Sequence, residues 1–241
     1  VLAIGPVLLA LPDRRVRALA IATAVGAAVL APLLLIGSGS GLVAGARQTG
    51  QIFQPWQLFW PLGAPDAVVI GGDGLAKAGY RSPPQWLSPL THPLIVFLAV
   101  PLSLLWARRH PRALRAPEQV LLLLAMLLLL RCVLDPWNNE YYALPFVLAL
   151  LAWEALCRPE RPPLVSLLVI AAHWITFNHV DTWASADVQW ALYLAWTLPL
   201  AAWMASTALG SGLALGSAQG SWRRTVHLGI DLPQVDRPQR P

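Results

Sequence analysis

Long apolar runs alternate with shorter polar stretches along most of this chain. Six runs read as helices that cross a membrane, over residues 18–36, 93–107, 120–134, 143–157, 164–177 and 190–209. A further run over 1–11 is shorter than the roughly 20 residues that a spanning helix needs, and we interpret it as the end of a helix that continues upstream. The pattern predicts an all-α, polytopic transmembrane bundle of about six or seven spans over residues 1–209.

Several of the predicted spans contain only 14 or 15 apolar residues. Tryptophans at or near their ends favour spans that extend into the membrane interface, where this side chain is enriched. For residues 164–177, a re-entrant or buried helix stays open as an alternative.

Basic residues concentrate in every second polar stretch and in the C-terminal tail. They cluster over 14–17, 108–115, 158–161 and 223–240. Short loops rich in Lys and Arg stay on the cytoplasmic side. The pattern therefore predicts a cytoplasmic C-terminus and an extracytoplasmic loop over 37–92. The tail over 210–241 is rich in Gly and Ser, then in Arg and Pro, and is predicted to be disordered and cytoplasmic.

The predicted outer loop carries an aromatic segment, FQPWQLFWPLG, over residues 53–63. We expect this segment to lie at the membrane interface, which tryptophan prefers. The glycine-rich stretch over 71–74 lacks the Lys-Ser/Thr that follows a nucleotide-binding loop. It therefore does not predict nucleotide binding.

Composition agrees with a membrane protein. The chain is 56% hydrophobic and 12% charged, against about 25% charged residues in soluble domains. Its net charge of +5 is spread over the loops beside the spans, with no interleaved basic and aromatic face, so we expect no nucleic-acid partner. Cys132 and Cys157 lie near opposite ends of neighbouring predicted spans, too far apart for a disulfide.

Three polar features have simple structural interpretations. Glu154 and Arg158 are four residues apart at a helix end and predict a solvated ion pair. His179 and Asp181 share a spacing with metal sites, but two ligands do not make one, so we predict no metal site. His173 falls inside a predicted span and is interpreted as a hydrogen-bonded interior residue.

The densest polar and aromatic cluster covers residues 131–142. Arg131 ends an apolar run at predicted membrane depth, where a charge is costly and faces a bundle interior or a water-filled cavity. Asp135 follows one helical turn later. One interpretation is a structural Arg131–Asp135 pair that ends the helix before Pro136. The other is a sugar-phosphate site in which Arg131 binds the phosphate by its planar guanidinium fork. The two interpretations are compatible.

A substrate cavity next to Arg131 follows from the second interpretation. Carboxylates would accept hydrogen bonds from sugar hydroxyls, and aromatic rings would stack on the sugar. His92 either points into this cavity or caps the helix that it begins. The candidate cavity residues are Asp135, Trp137, Asn138, Glu140, Tyr141 and His92.

Three strings carry a family resemblance: FQPWQLFWPLG (53–63), HPLIVFLAVPLSLLW (92–106) and RCVLDPWNNEYYALPFVLALLAWEAL (131–156). They resemble actinobacterial membrane proteins of glycosyltransferase family 87, which are C-class, polyprenol-phosphate-dependent and mannosyltransferase-like. The resemblance covers roughly residues 1–210 and rests on the style and order of the segments. This family was formerly described only as a domain of unknown function.

The resemblance implies an enzyme of the bacterial plasma membrane that needs no cofactor. It would move a sugar, typically mannose, from a polyprenyl-phosphate donor to a glycolipid or cell-envelope glycan on the extracytoplasmic face. In that superfamily the catalytic base lies in the first outer loop, which is expected upstream of this chain. No residue of this chain is therefore assigned as the base, and Arg131 is assigned to the donor phosphate.

Two other classes stay open: a lipid or glycan transporter of flippase type, and a non-catalytic membrane subunit. A transporter predicts internal repeats and charges along a pore at mid-membrane depth. The chain has no evident repeat, and only Arg131 and His173 approach that depth.

Overall fold

The computed structural model describes residues 2–11, 15–36, 52–65, 69–70, 76–77, 80–110 and 117–210. The predictions for the glycine-rich stretch over 71–74 and for the tail from residue 211 onward lie outside the described residues.

Helices dominate the described part of the chain, and each predicted apolar run contains one. The all-α class is confirmed at this level. The helices are α1 (Ile4–Ala10), α2 (Arg15–Ile36), α3 (Thr91–Arg109), α4 (Pro117–Leu134), α5 (Leu144–Cys157), α6 (Leu164–Asn178) and α7 (Ala186–Leu209).

The boundaries differ from the predicted ones mainly where polar residues join the helix ends. Helix α3 continues through Arg108 and Arg109, because basic side chains are favourable in a last turn. Helix α7 begins four residues earlier than predicted and places Asp187 in its first turn, where a negative charge is favourable.

Three segments of the described chain are long and apolar enough to cross a membrane. They are α3, the stretch Glu140–Cys157 (a 3-10 turn followed by α5), and α7. The other apolar stretches are shorter: Val16–Val29 in α2, Val120–Leu134 in α4 and Leu164–Asn178, which is α6. The protein is thus a helical protein with three candidate membrane spans among its described residues.

Helix α4 forms the centre of the core. It is apolar around most of its circumference, as expected for a helix enclosed by others, and it packs most extensively against α5 and also against α1, α3 and α7. Buried residues follow one another with little periodicity along it: Val120, Leu122, Leu123, Ala125, Met126, Leu127, Leu129, Cys132, Val133 and Leu134.

The outer surface of the other helices is also apolar. Leu35 of α2, Phe97 of α3 and Leu168 of α6 are all more than two-thirds exposed. An exposed apolar surface of this extent is unfavourable in water and marks contact with protein or lipid. This feature agrees with the three candidate spans.

Short strands occur where the sequence predicted only a loop. They are β1 (Ala64–Pro65), β2 (Val69–Ile70), β3 (Ala76–Lys77) and β4 (Arg81–Ser82). Strand β1 pairs antiparallel with β4, and β2 pairs antiparallel with β3. A Cβ on Gly63 would lie 2.7 Å from Cβ of Arg81, so only glycine allows this close approach before β1.

The aromatic segment packs its rings into the protein. Phe53 and Trp60 are buried together with Leu87, and Trp190 of α7 packs against this cluster. Large rings stabilise most when their area is buried, and the surface of α7 supplies the partner. The segment therefore does not present these two rings to its surroundings, as a purely interfacial segment would.

Candidate functional site

Arg131 lies in the last turn of α4, above the leucine core. Its guanidinium carbon is 4.4 Å from the centre of the Tyr142 ring, a cation–π geometry that fixes the group. Its Nη2 is 3.8 Å from Oδ2 of Asp135, beyond hydrogen-bond distance. The side chain is 31% exposed. The guanidinium is thus held by a ring while its N–H donors are only loosely paired.

Asp135 closes α4 and is almost fully buried. Its backbone N–H donates to the carbonyl of Arg131 at 2.8 Å, and Pro136 then prevents further helix. Its Oδ1 accepts the backbone N–H of Trp137 at 3.0 Å, which orders the turn. Its carboxylate also lies between the Arg131 and His92 side chains. The structural interpretation of the Arg131–Asp135 pair is therefore correct in outline, although the ion pair itself is long.

His92 is the second residue of α3, and Nε2 lies 4.0 Å from Oδ1 of Asp135. The residue before α3 is Leu90, which makes no side-chain cap, and Nδ1 of His92 lies 3.5 Å from the Thr91 hydroxyl. The imidazole is about half exposed. Of the two sequence interpretations, the structure favours the one in which His92 faces the polar cluster. Arg131, Asp135, His92 and Tyr142 are thus brought together, and we call them the Arg131 cluster.

Asn138 is buried inside the protein and does not face an open cavity. Its Nδ2 lies 3.0 Å from the carbonyl of Trp56 and 3.0 Å from the hydroxyl oxygen of Tyr193. It therefore joins the aromatic segment, the turn after α4 and helix α7. This position differs from the predicted cavity wall because the aromatic segment covers the turn.

Glu140 and Tyr141 lie on the exposed side of the same turn. Oε1 of Glu140 accepts a hydrogen bond from Nδ2 of Asn178 at 3.0 Å, and its backbone carbonyl lies 2.9 Å from Nε2 of His173. Tyr141 is 68% exposed and packs edge-on against Tyr142. Trp137 is half-buried beside them. His173 is hydrogen-bonded as predicted, but it is half-buried and not an interior residue.

Sequence reasoning missed a clamp between the outer loop and α7. Oδ1 of Asp187 accepts the indole N–H of Trp60 at 2.7 Å and lies 2.8 Å from Nη2 of Arg81. The Arg81 guanidinium also lies 4.6 Å from the centre of the Trp60 ring. Over 100 residues separate Asp187 from the other two in sequence, so no local spacing could reveal the contact.

The predicted Glu154–Arg158 pair is wrong. Glu154 is buried and accepts three hydrogen bonds from the start of α6: the backbone N–H groups of Val165 at 3.2 Å and Ser166 at 2.7 Å, and the Ser166 hydroxyl at 2.6 Å. Arg158 instead lies over the ring of Trp153, 5.1 Å from its centre. The unpaired N–H groups of a helix N-terminus attract a carboxylate more strongly than a solvated arginine does.

An apolar cleft of about 310 Å³ lies between α1 and α3. Its α3 wall includes Val96, Ala99 and Ser103, and these positions continue the helical stripe that begins at His92. The two helices approach closely because α1 has a glycine at position 5, where a Cβ would lie 2.7 Å from the Ser103 hydroxyl. The cleft and the Arg131 cluster therefore share one face of α3.

Among the described residues, no three His, Cys, Asp or Glu side chains are grouped so as to hold a metal ion. His179 packs edge-on against Trp174, with ring centres 4.2 Å apart. The side chain of Asp181 lies outside the description, as do the outer acidic residues at 66 and 73.

The chain matches no protein-family model, no curated protein and no solved structure.

Proposed function

We propose that this chain belongs to a multi-pass glycosyltransferase of the bacterial plasma membrane. The enzyme moves a sugar, mannose in the first instance, from a polyprenyl-phosphate donor to a glycolipid or cell-envelope glycan. The reaction takes place on the extracytoplasmic face. The proposal assigns no catalytic carboxylate within the described residues, and it gives Arg131 the donor phosphate.

The surroundings of the Arg131 guanidinium are the main support for this proposal. A guanidinium at the end of an apolar helix is a costly feature, and such residues mark functional sites in membrane bundles. The Tyr142 ring orients the group, and the long distance to Asp135 leaves donors available for a planar, bidentate contact with phosphate. His92 lies beside them and could donate a further hydrogen bond when its Nε2 carries a proton.

The apolar cleft supports a donor with a long hydrocarbon chain. The cleft begins about one helical turn from His92 on the same face of α3. An amphiphile whose phosphate contacts Arg131 could thus extend its chain along α3 between the two helices. A soluble sugar nucleotide would have no use for such a surface.

The proposal includes a topology of six or seven membrane spans. Six or seven spans require α2, α4 and α6 to cross the membrane together with the three long candidates. The basic clusters then lie on the cytoplasmic side, and the Arg131 cluster lies at the opposite end of α4.

The test is sugar transfer from radiolabelled polyprenyl-phosphate mannose by the full-length protein in membranes. We expect Arg131→Ala to lower kcat/KM by about 10- to 150-fold, because a charge-assisted contact contributes about 1.5–3 kcal/mol. Arg131→Lys should recover only part of the rate, since the planar fork is lost.

Arg158→Ala is the matched control. Arg158 also packs over an aromatic ring, but at the far end of α5 from Tyr142. It should retain normal transfer. Normal transfer by a folded Arg131→Ala variant would remove the assignment of the donor phosphate. Absence of transfer from mannosyl, glucosyl and arabinosyl carriers by the wild-type protein would favour a transporter or a non-catalytic subunit.

A further inference from the structure

Five buried side-chain atoms have no hydrogen-bond partner among the described residues, and all lie in one region. They are Oε1 of Gln54, Nε1 of Trp56, Nε2 of Gln57, Oδ1 of Asn138 and Nε1 of Trp190. Gln54, Gln57 and Asn138 are each less than 5% exposed. A buried polar atom without a partner is unfavourable, so such atoms in a group require an explanation.

Contacts around these residues place them at one junction. The backbone N–H of Gln54 donates to the carbonyl of Pro136 at 3.2 Å, and the Asn138 side chain donates to the carbonyl of Trp56. Asn138 also bonds Tyr193, which lies one helical turn after Trp190 on α7. The junction thus joins the segment 54–57, the turn over 136–138 and the first turns of α7.

The mixture of atoms indicates the class of ligand. Two of the five are carbonyl-type acceptors, and three are N–H donors. An anion would be matched by donors alone and a cation by acceptors alone. Hydroxyl groups donate and accept at once, so they suit a mixed set. The indole rings of Trp56 and Trp190 supply apolar faces beside these polar atoms.

We propose that this junction is a binding site for a hydroxyl-rich ring, the sugar of the donor or of the acceptor, and that residues 54–57 are its movable cover. This inference rests on the proposed function for the identity of the sugar. The ligand would supply the missing partners. Because the five atoms are enclosed in the present arrangement, the cover must shift outward to admit the sugar.

Few hydrogen bonds hold the cover, and its outward shift would also separate the Trp56 ring from the Phe177 ring, whose centres are 4.5 Å apart. Besides the contacts of Gln54 and Trp56, the backbone N–H of Leu58 donates to the carbonyl of Val133 at 2.8 Å. The Phe53–Arg81 bridge directly precedes the cover, and Gly63 lies against both of these side chains, so this end of the segment can act as its anchor.

Gln54→Met tests whether Oε1 of Gln54 serves a ligand site or takes part in a structural hydrogen bond. The substitution keeps the length of the side chain and removes the unpartnered Oε1. We expect it to raise the unfolding midpoint of the unliganded, full-length protein in nanodiscs by roughly 2–4 °C, because an unfavourable buried atom is removed. We also expect binding of methyl α-D-mannopyranoside, followed by tryptophan fluorescence, to weaken about tenfold.

Gln189→Met is the matched control. Gln189 is also a buried glutamine, but its Nε2 donates to the carbonyl of Ala184 at 3.0 Å. It should lower the unfolding midpoint and leave glycoside binding unchanged. A fall in the midpoint for Gln54→Met would show that Oε1 is satisfied, for example by a bound water, and would overturn the proposal. Unchanged glycoside affinity in Gln54→Met would overturn it too.

Hydrogen exchange gives a second measurement that does not depend on a variant. Methyl α-D-mannopyranoside or methyl α-D-glucopyranoside should change the protection of the Gln54 and Leu58 amides, while inorganic phosphate should not. No change with either glycoside would contradict the site. Transfer activity without glycoside binding would contradict this binding site but not the proposed reaction. Glycoside binding without transfer would contradict the proposed reaction but not the binding site.

Discussion

At the scale of single residues, long-range polar contacts determine how the outer loop meets the helices. Asp187 shows this most clearly, because one carboxylate oxygen serves both the Trp60 indole and the Arg81 guanidinium. The carboxylate is about two-thirds exposed, so water screens its charge and the ion pair contributes little. The bond to Trp60, whose ring is buried, contributes more of the stabilisation.

We therefore expect Asp187→Ala to lower the free energy of unfolding by about 1 kcal/mol, through loss of the indole hydrogen bond and of a screened ion pair. Asp187→Asn keeps an acceptor for the Trp60 indole, so it should lower the free energy of unfolding by only about half as much as Asp187→Ala. Thermal unfolding followed by tryptophan fluorescence measures both.

Glu160→Ala serves as the control for Asp187, because Glu160 is an exposed carboxylate in the loop before α6. Its removal should change the unfolding midpoint by less than the removal of Asp187. Equal midpoints for Asp187→Ala and the wild-type protein would show that the clamp does not stabilise the fold.

At the scale of elements, helix α6 depends on a residue of another helix for its start. Its own preceding residue is Pro163, which makes no side-chain cap. Glu154 of α5 fills this role through its bonds to Val165 and Ser166. Because a helix N-terminus carries a partial positive charge, the buried carboxylate is stabilised in return. Glu154 of α5 thus caps the N-terminus of α6 and joins the two helices.

Glu154→Ala should destabilise the protein by at least about 2 kcal/mol, since it leaves helix N–H groups without an acceptor in a buried place. Ser166→Ala removes only the hydroxyl bond and should cost about 1 kcal/mol. Hydrogen exchange at the Val165 and Ser166 amides should rise in Glu154→Ala. If these amides stay protected and the unfolding midpoint is unchanged, the cap is not the start signal of α6.

Ser206→Ala provides a control for Ser166→Ala. Its hydroxyl donates to the carbonyl of Trp203 within α7 and is exposed. Loss of that bond should be nearly neutral, because the carbonyl of Trp203 also accepts the Thr207 hydroxyl at 2.8 Å.

At the scale of the whole molecule, a buried leucine-rich helix is surrounded by helices whose outer faces are also apolar. Water cannot stabilise such a surface, whereas lipid can. The proposed topology places residue 85 outside and the C-terminus inside. Both positions can be tested with reporters that are active on one side only.

Alkaline phosphatase fused after Gln85 should be active, because this enzyme folds outside the cytoplasm. Green fluorescent protein fused after Pro241 should fluoresce. Alkaline phosphatase fused after Pro241 should be inactive, and green fluorescent protein fused after Gln85 should not fluoresce. Fluorescence of the fusion at Gln85 would invert the topology and would place the Arg131 cluster on the wrong side for the proposed reaction.

The helices follow from the amino-acid sequence alone. Their apolar runs are bounded by charged residues and prolines that act locally, so α5 and α6 are predicted almost to the residue. Arg131 and Asp135 were also predictable as neighbours, because four residues on a helix make one turn.

Contacts between distant residues depend on how the helices and the outer loop pack together. The bonds of Asn138 to Trp56 and Tyr193, the clamp at Asp187 and the cap by Glu154 all join separate segments. Hydrophobic periodicity reports how far a side chain is buried but not against what, since the hydrophobic effect has no direction. Hydrogen bonds are directional, and their partners are chosen only when the helices have packed.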